Sequence, residues 1–279
     1  METPMQTPHA VFTLTLKNFL LICACLLLSS THASLRAQET LRTVSENTLH
    51  GIELYKQRDF QEAVAVLKRS VKQDKKDADA WQYLGLAYKQ QGKREDAFKT
   101  LKKAIGLYFT QLLPSLDSKQ KYDSLSEVER ATRRMSLTAI YRKAAESVEG
   151  YLQLQPEEAD FWLAQLKALR FYAESLGPTE GDNALFYTAD VTTKAVVLSK
   201  PEPMYTETAR MKGTQGEATF HAVLAADGRV RHVLVLKALP HGLTETAFNA
   251  VHGIKFTPAI KDGRPVSQIA TFAYYFNTY

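Results

Sequence analysis

The sequence predicts an all-α domain of helical repeats, followed by a small α+β domain with an antiparallel sheet and two helices. Three observations support this fold class. A segment that begins at residue 51 recurs 34 residues later, helical periodicity continues to about residue 176, and from residue 195 onward apolar and polar side chains alternate. Repeated helical patterns build stacked helix pairs, whereas a period of two is typical of half-buried strands.

The composition is that of an ordinary globular protein. The chain has 279 residues, of which 45% are hydrophobic and 23% are charged, enough for one large or two small domains. The net charge of +5 is spread along the chain, and no run combines aromatic side chains with clustered Lys and Arg. We therefore expect no nucleic-acid partner.

The first 33 residues differ from the rest of the chain. Lys17 precedes an apolar run from Asn18 to Ser30, and small residues follow up to Ala33, as a signal peptidase requires. Because a transmembrane helix needs about 20 apolar residues, this shorter run predicts a cleaved secretory signal over residues 1–33. If the run extends back through the preceding apolar residues, the segment is instead an uncleaved membrane anchor.

Both cysteines of the chain, Cys23 and Cys25, lie within this segment. A cleaved chain would therefore have no thiol with which to form a disulfide, bind a metal or act as a nucleophile.

A repeat of 34 residues begins the helical domain. Residues 51–71 align with residues 85–105, so small residues stand at matching positions in both copies. The pattern resembles the tetratricopeptide repeat, in which small residues let two helices approach closely and large ones fill the space between them. The residues that carry the resemblance are Gly51, Ala63, Trp81, Leu84, Gly85, Tyr88, Ala97 and Ala104.

The repeat becomes degenerate after Tyr108. The charged stretch from Pro114 to Met135 is interpreted as a solvated loop or helix face. Helical periodicity returns from Leu137 to Leu176, which is interpreted as a third repeat and a closing helix, so the predicted helical domain covers residues 44–177. Such repeats bind a peptide or a helix on their concave face, which implies a second protein partner; a spacing or dimerising role is the alternative.

Residues 178–194 are predicted to be a linker, and residues 195–279 a second domain. Two alternating segments, Gly216 to Ala225 and Val230 to Leu239, predict strands joined at Asp227-Gly228, because Asp-Gly is a strong hairpin signal. The remaining predicted elements are a helix within residues 241–254, a turn over 255–266 and a long final strand over 267–279.

The order of motifs in this second domain resembles the C-terminal domain of the TonB family. The sequence departs from the family at Thr206, where proline is common, and at Ile254, where tryptophan is common. Neither departure changes the expected fold, although the second alters contacts with a partner. The family-motif residues are Pro203, Tyr205, Gly216, Asp227, Gly228, Phe256 and Pro258.

The resemblance implies a docking domain, in which an extended peptide of an outer-membrane receptor adds to the edge of the sheet. Every second residue from Ile269 to Tyr275 is expected to flank the added strand, and the intervening residues to enter the core. The alternative is an internally paired or homodimeric final strand. By position, the predicted peptide-binding edge strand consists of Gln268, Ile269, Ala270, Thr271, Phe272, Ala273, Tyr274, Tyr275 and Phe276.

Energy-transducing members of the family have an N-terminal anchor with a Ser-x-x-x-His helix and a proline-rich spacer. The sequence shows neither, and helical repeats stand in the place of the spacer. The resemblance therefore implies a periplasmic adaptor of a Gram-negative bacterium, linked to TonB-dependent transport. A membrane-anchored energy transducer in the inner membrane and a homodimerising envelope scaffold are the alternatives.

An enzymatic function has little support in the sequence. It contains no phosphate-binding glycine loop, no HExxH motif and no Gly-x-Ser-x-Gly motif, so we expect no catalytic residue, cofactor or metal. His221 and His232 lie on the two strands of the predicted hairpin, but further ligands are lacking. They are interpreted as exposed strand histidines.

Overall fold

The computed structural model of the protein describes residues 46–113, 126–176 and 184–277. The predicted signal and its cleavage site, residues 114–125 of the charged stretch and residues 177–183 lie outside these ranges. Within the described ranges, no helix has both the length and the apolar character needed to cross a membrane.

The first domain consists of helices that pack against one another in chain order. Side chains that cap the helix N-termini mark several of the boundaries. Asp59 and Asp77 accept hydrogen bonds from the backbone N–H three residues later, and Ser126 forms a reciprocal capping box with Glu129. The described helices are α1 (residues 46–56), α2 (Phe60–Gln73), α3 (Ala78–Gln90), α4 (Arg94–Leu112), α5 (Glu127–Leu152) and α6 (Ala159–Ser175).

Glycines permit close packing between the helices of the two repeats. A Cβ atom at Gly51 would lie 2.6 Å from Cγ of Leu67, and one at Gly85 would lie 2.7 Å from Cγ of Leu101. Both distances are shorter than real side chains tolerate. Gly51 and Gly85 are therefore points of close approach within each helix pair, which is the role the repeat pattern predicts for small residues.

The second domain contains a mixed sheet, a small two-stranded sheet and two α-helices. The strands and helices of this part are β1 (Leu185–Phe186), β2 (Val196–Ser199), α7 (Glu207–Met211), β3 (Gly216–Leu224), β4 (Val230–Lys237), α8 (Leu243–His252), β5 (Lys255–Thr257), β6 (Ala259–Lys261) and β7 (Arg264–Phe276). A short 3-10 helix, Thr188–Asp190, follows β1.

The main sheet has the strand order β1-β7-β3-β4, with β6 paired to the start of β7. Strand β2 pairs separately with β5. The predicted hairpin joins β3 to β4, and Gly228 has a φ of 80°, a conformation that favours glycine and explains why this residue completes the turn. The sheet is thus antiparallel except where β1 joins β7 in parallel.

Both faces of the main sheet are covered. On one face, α8 packs over a core that includes Phe220, Val235 and Phe272. On the other face, Val223, Leu234 and Ile269 share a single hydrophobic cluster with the helices of the first domain. The two domains therefore pack directly against each other through the sheet.

The prediction of a linker is wrong for residues 184–190. Leu185 and Phe186 form β1 and pair with Ser267 and Gln268 of β7. Asp190 then forms an ion pair with Arg134 of α5, with 2.7 Å between the guanidinium nitrogen and the carboxylate oxygen. This segment belongs to the folded body, because its strand and its ion pair bind both domains.

Candidate functional site

The outer side of β7 is the candidate site, because it forms an open edge of the main sheet. On its inner side, β7 pairs with β3 from Gln268 to Phe276. On its outer side, β1 pairs with Ser267 and Gln268 only, and β6 pairs with residues 264–266 at the start of the strand. Among the described residues, no strand pairs with residues 269–276 on that side, and this segment is called the open edge.

The backbone groups of Ala273 face away from β3. Its carbonyl oxygen accepts a hydrogen bond from Nζ of Lys200 at 2.8 Å, and Lys200 lies outside the β3–β7 ladder. In an antiparallel pair, the N–H and C=O groups of one residue point to the same side, and those of the next residue point to the other. Thr271 therefore also turns its backbone groups outward.

A hydrogen bond at the other edge of the sheet, on β4, leads to the same assignment of inward-facing and outward-facing residues in β7. The N–H of Val235 in β4 donates to Oε1 of Gln165, outside the sheet, at 2.7 Å. Its partner Phe220 in β3 consequently turns its own backbone groups toward β7, where it pairs with Phe272. Phe272 thus faces inward and Ala273 outward, in agreement with the Lys200 contact.

Gln268 marks the end of the closed part of β7. Its backbone pairs with Leu224 on one side and Phe186 on the other. Its buried side chain accepts a hydrogen bond from the N–H of Ala195 at 2.9 Å and donates to Oγ1 of Thr188 at 3.1 Å. The open edge therefore begins one residue later than the sequence predicted, since Gln268 is already paired on both sides.

The aromatic residues of β7 hold the strand in the core beneath α8. Phe272, Tyr274 and Phe276 are buried in the same hydrophobic cluster. Burial, with a smaller contribution from the charge of Glu202, raises the pKa of Tyr274 to about 12, so its hydroxyl stays protonated at neutral pH. Tyr205 packs edge-on against Phe276, with 5.7 Å between ring centroids.

The other face of β7 differs from the expectation that its residues flank an added strand. Ile269 is 2% exposed because it packs against the helical domain. Tyr275, at the far end, is 72% exposed. The side chains of β7 that can contact an added strand on this face are therefore those that follow Ile269, because Ile269 itself is covered by the helical domain.

The second edge of the sheet, along β4, is covered by α6. Besides the bond from Val235 to Gln165, the hydroxyl of Tyr172 donates to the carbonyl oxygen of His232 at 3.0 Å. Phe171 stacks on the ring of His232 with 3.6 Å between ring centroids. Helix α6 thus occupies backbone groups of β4 that an exposed edge would offer to another chain.

The interpretation of the two histidines as exposed is wrong. His221 is completely buried, and its Nδ1 lies 2.8 Å from the hydroxyl oxygen of Tyr141 in α5. Burial lowers the pKa of His221 to about 3, so its ring is neutral at physiological pH. The sequence pattern placed these residues on a sheet face but gave no indication that a second domain covers it. Among the described residues, no cluster of potential ligands is suited to a metal ion.

The helical domain has a cleft of its own, of about 420 Å³, between α3, α4 and α5. Asp79 is one of the residues that line it. One carboxylate oxygen accepts from the hydroxyl of Tyr108 at 2.5 Å, and the other forms an ion pair with Lys143 at 2.6 Å. Asp77 and Gln111 also line the cleft, which is therefore polar and carries both charge signs.

The residues on which the two family resemblances rest lie in the cores of their domains or form contacts that hold the fold together. Ala63, Ala97 and Ala104 are fully buried in the helical core, and Leu84 and Tyr88 are nearly so. In the second domain, the hydroxyl of Tyr205 donates to the carbonyl oxygen of Thr214, and Phe256 is buried in β5.

Both departures from the family pattern fit their surroundings. Thr206 caps α7 by accepting from the N–H of Ala209 at 3.2 Å, and it donates to the carbonyl oxygen of His241 at 2.6 Å. Ile254 is 2% exposed and packs in the core beneath α8.

Sequence reasoning missed Lys200, the residue that contacts the open edge. A single lysine after the exposed strand β2 has no distinguishing pattern, because its partner is a backbone carbonyl 73 residues away.

Comparisons with known proteins agree with this architecture. Residues 201–278 match the family model described as Gram-negative bacterial TonB protein C-terminal, and residues 48–108 match a tetratricopeptide-repeat model. No curated protein matches the sequence significantly.

Among solved structures, the chain is similar to the TonB C-terminal domain of Pseudomonas aeruginosa, determined in solution by NMR. The identity is 23%, the match covers 30% of this chain and 87% of that one, and the TM-score is 0.27. A likeness of this strength adds nothing to the two family matches.

Both matched families are protein-interaction families, and the TonB family belongs to the envelope of Gram-negative bacteria. The predicted fold class is confirmed: helical repeats, part of which match the tetratricopeptide model, are followed by a small α+β domain that matches the TonB C-terminal model.

Proposed function

We propose that this protein is a periplasmic adaptor that binds an extended peptide of an outer-membrane receptor by strand addition to the open edge of β7. A second protein partner binds the helical repeats, and the adaptor thereby takes part in TonB-dependent transport. The open edge is the observation that carries the proposal, since among the described residues no other strand pairs with the outward side of Thr271 and Ala273, and the strand itself is fixed in the core.

The geometry suits recognition through main-chain hydrogen bonds. Thr271 and Ala273 turn their backbone groups outward, whereas Phe272 and Tyr274 anchor the strand under α8. Each hydrogen bond to an added strand contributes about 0.5–1.5 kcal/mol, so a few such bonds alone supply only weak binding, and the side chains of the peptide must supply the rest. Side chains of the peptide on alternate positions then provide selectivity.

A titration of the full chain with synthetic peptides from candidate outer-membrane receptors tests the proposal. Ala273→Pro removes an outward N–H and should weaken binding by about tenfold or more while the fold survives, because proline is tolerated on an edge. The matched control is Ala270→Pro. Ala270 pairs with Ala222 of β3, so this variant should instead destabilise the domain.

Absence of binding across the peptide panel would count against strand addition. A concentration-dependent dimer that the Ala273→Pro variant loses, measured by analytical ultracentrifugation, would favour the homodimeric alternative. Helix α6 covers β4, so the open edge of β7 is where such a dimer would form.

The cleft of the helical domain is the proposed site for the second partner. Its charges of both signs, from Asp77, Asp79 and Lys143, suit a polar peptide segment. A photo-crosslinking residue at Gln111, which lines the cleft, should capture this partner in cells, whereas one at the exposed Lys167 on α6 should not. Equal capture from both positions would contradict the assignment.

The proposed periplasmic location depends on cleavage after Ala33. N-terminal sequencing of the protein from its native host should find Ser34 as the first residue. A retained N-terminus in the membrane fraction would favour an anchored energy transducer instead.

A further inference from the structure

Lys200 donates a hydrogen bond to a backbone carbonyl of β7 that an added strand would also need as an acceptor. Its Nζ donates to the carbonyl oxygen of Ala273 at 2.8 Å, on the outward side of the open edge. An added strand would direct one of its own N–H groups to this oxygen, because outward C=O groups are the acceptors of a new ladder. The ammonium and the incoming strand therefore compete for one position.

The position of Lys200 is defined by contacts on both sides of it. Ser199, the preceding residue, pairs with Lys255 of β5. Pro201, the following residue, restricts Lys200 to extended backbone conformations and lies against Gly253, where an added Cβ would be 3.1 Å from Cγ of the proline. The backbone thus presents the Lys200 side chain to β7 in the free protein.

A second contact holds the ammonium over the edge. Nζ of Lys200 lies 4.2 Å from the centroid of the Tyr274 ring, within the range of a cation–π interaction. The residue is nevertheless exposed, so the ammonium regains water when it leaves the edge. Its displacement removes one charged hydrogen bond and one ring contact without burying an unpaired charge.

Lysine is a residue with which natural sheets protect their edges against unwanted pairing. We propose that Lys200 is a latch on the open edge: it covers the Ala273 carbonyl in the free protein and must be displaced by the added strand. Lys200 thereby lowers the affinity for every peptide that pairs with the Ala273 carbonyl, so that only peptides with enough further contacts bind. This inference rests on the strand addition proposed above.

Lys200→Met tests the latch, since methionine keeps an apolar stem over Tyr274 but cannot donate to Ala273. The probe is a fluorescent peptide that copies β3, residues 216–224, a sequence that already pairs with β7. Fluorescence anisotropy with the full chain should show binding about threefold to tenfold tighter for Lys200→Met than for the wild type, the effect of losing one competing hydrogen bond. Lys167→Met, with the same change of charge far from the edge, should bind as the wild type does.

The outcomes separate the latch from the function on which it rests. Equal or weaker binding by Lys200→Met than by the wild type would overturn the latch and leave strand addition standing, provided that Ala273→Pro still weakens binding by about tenfold or more. Binding that is insensitive to Ala273→Pro, or no binding by either protein, would overturn strand addition and the latch with it. If Lys167→Met binds the peptide as much more tightly as Lys200→Met does, the gain in affinity comes from the change in net charge. That result would also overturn the latch.

Discussion

At the scale of single residues, small side chains decide how closely the helices pack, and this was predictable from the sequence. Gly85 stands opposite Leu101 and Thr100, and atoms of both lie within 3 Å of the position where its Cβ would be. Gly106, in α4, has no neighbour within 4 Å of its own Cβ position among the described residues. Two glycines in one domain thus have opposite structural roles.

Gly85→Ala should lower the free energy of unfolding by about 1–3 kcal/mol, because the added methyl overpacks a buried contact. Gly106→Ala is the matched control and should raise it by about 0.5–1 kcal/mol, because alanine is the better helix former at an exposed position. Urea denaturation of both variants measures the difference. Stabilisation by both substitutions would show that the helices are not in close contact at Gly85.

Phe272→Ala should lower the free energy of unfolding by about 3–5 kcal/mol, since it opens a cavity in the core beneath α8. Tyr275→Ala, three residues along the same strand but 72% exposed, should change it by only about 0.5 kcal/mol. Denaturation curves of the two variants would contradict the assigned faces of β7 if the order of the effects were reversed.

At the scale of elements, the strands that carry a local sequence signal could be predicted, whereas strands without such a signal were missed. The β3–β4 hairpin follows from alternation and an Asp-Gly turn, and α8 follows from its apolar face. Strand β1 has only two residues, and its partner lies 82 residues further along the chain. Nothing local distinguishes such a strand from a linker, because the pairing that creates it is entirely long-range.

Strand β7 should tolerate proline where the backbone N–H points outward, and not where the N–H donates to β3. Ala273→Pro should leave the thermal unfolding midpoint close to that of the wild type, whereas Ala270→Pro should lower it markedly, because only the second substitution breaks a bond to β3. Circular dichroism melts compare the two. If Ala273→Pro lowers the unfolding midpoint more than Ala270→Pro does, the N–H of Ala273 faces β3 and the open edge is assigned to the wrong side of β7.

At the scale of the whole molecule, the main finding is that the helical domain is docked on the sheet. Tyr141, Tyr172 and Gln165 bind the sheet from α5 and α6, and His221 is buried between the domains. In sequence, Tyr141 and Tyr172 fit the core of the helical domain equally well, and no local pattern indicates that a second domain covers His221. The docking could not be predicted for that reason, and the same burial explains why the histidines were wrongly interpreted as exposed.

The buried His221 should make stability depend on pH. Its pKa is lowered from the ordinary 6.5 to about 3, so below pH 6.5 the unfolded chain binds a proton that the folded protein does not. The free energy of unfolding should therefore be highest above pH 6.5 and fall toward pH 3, by up to about 1.4 kcal/mol per pH unit.

His221→Phe isolates this contribution. The variant loses the hydrogen bond to Tyr141 and is less stable at pH 7, but its stability should fall less steeply below pH 6.5 than that of the wild type. Urea denaturation at a series of pH values compares the slopes, which do not depend on the loss at pH 7. Parallel slopes would show that His221 is not buried in the folded protein.

Strand addition at the open edge is most directly tested by amide hydrogen exchange of the full chain, resolved by NMR, with and without a saturating receptor peptide. The amides of Thr271 and Ala273 should exchange much more slowly when the peptide is bound, because they then donate to the added strand. Those of Ala270 and Phe272, which already pair with β3, should be protected in both states. Peptide binding that leaves Thr271 and Ala273 unchanged, while protecting amides in the cleft between α3 and α5, would contradict the account.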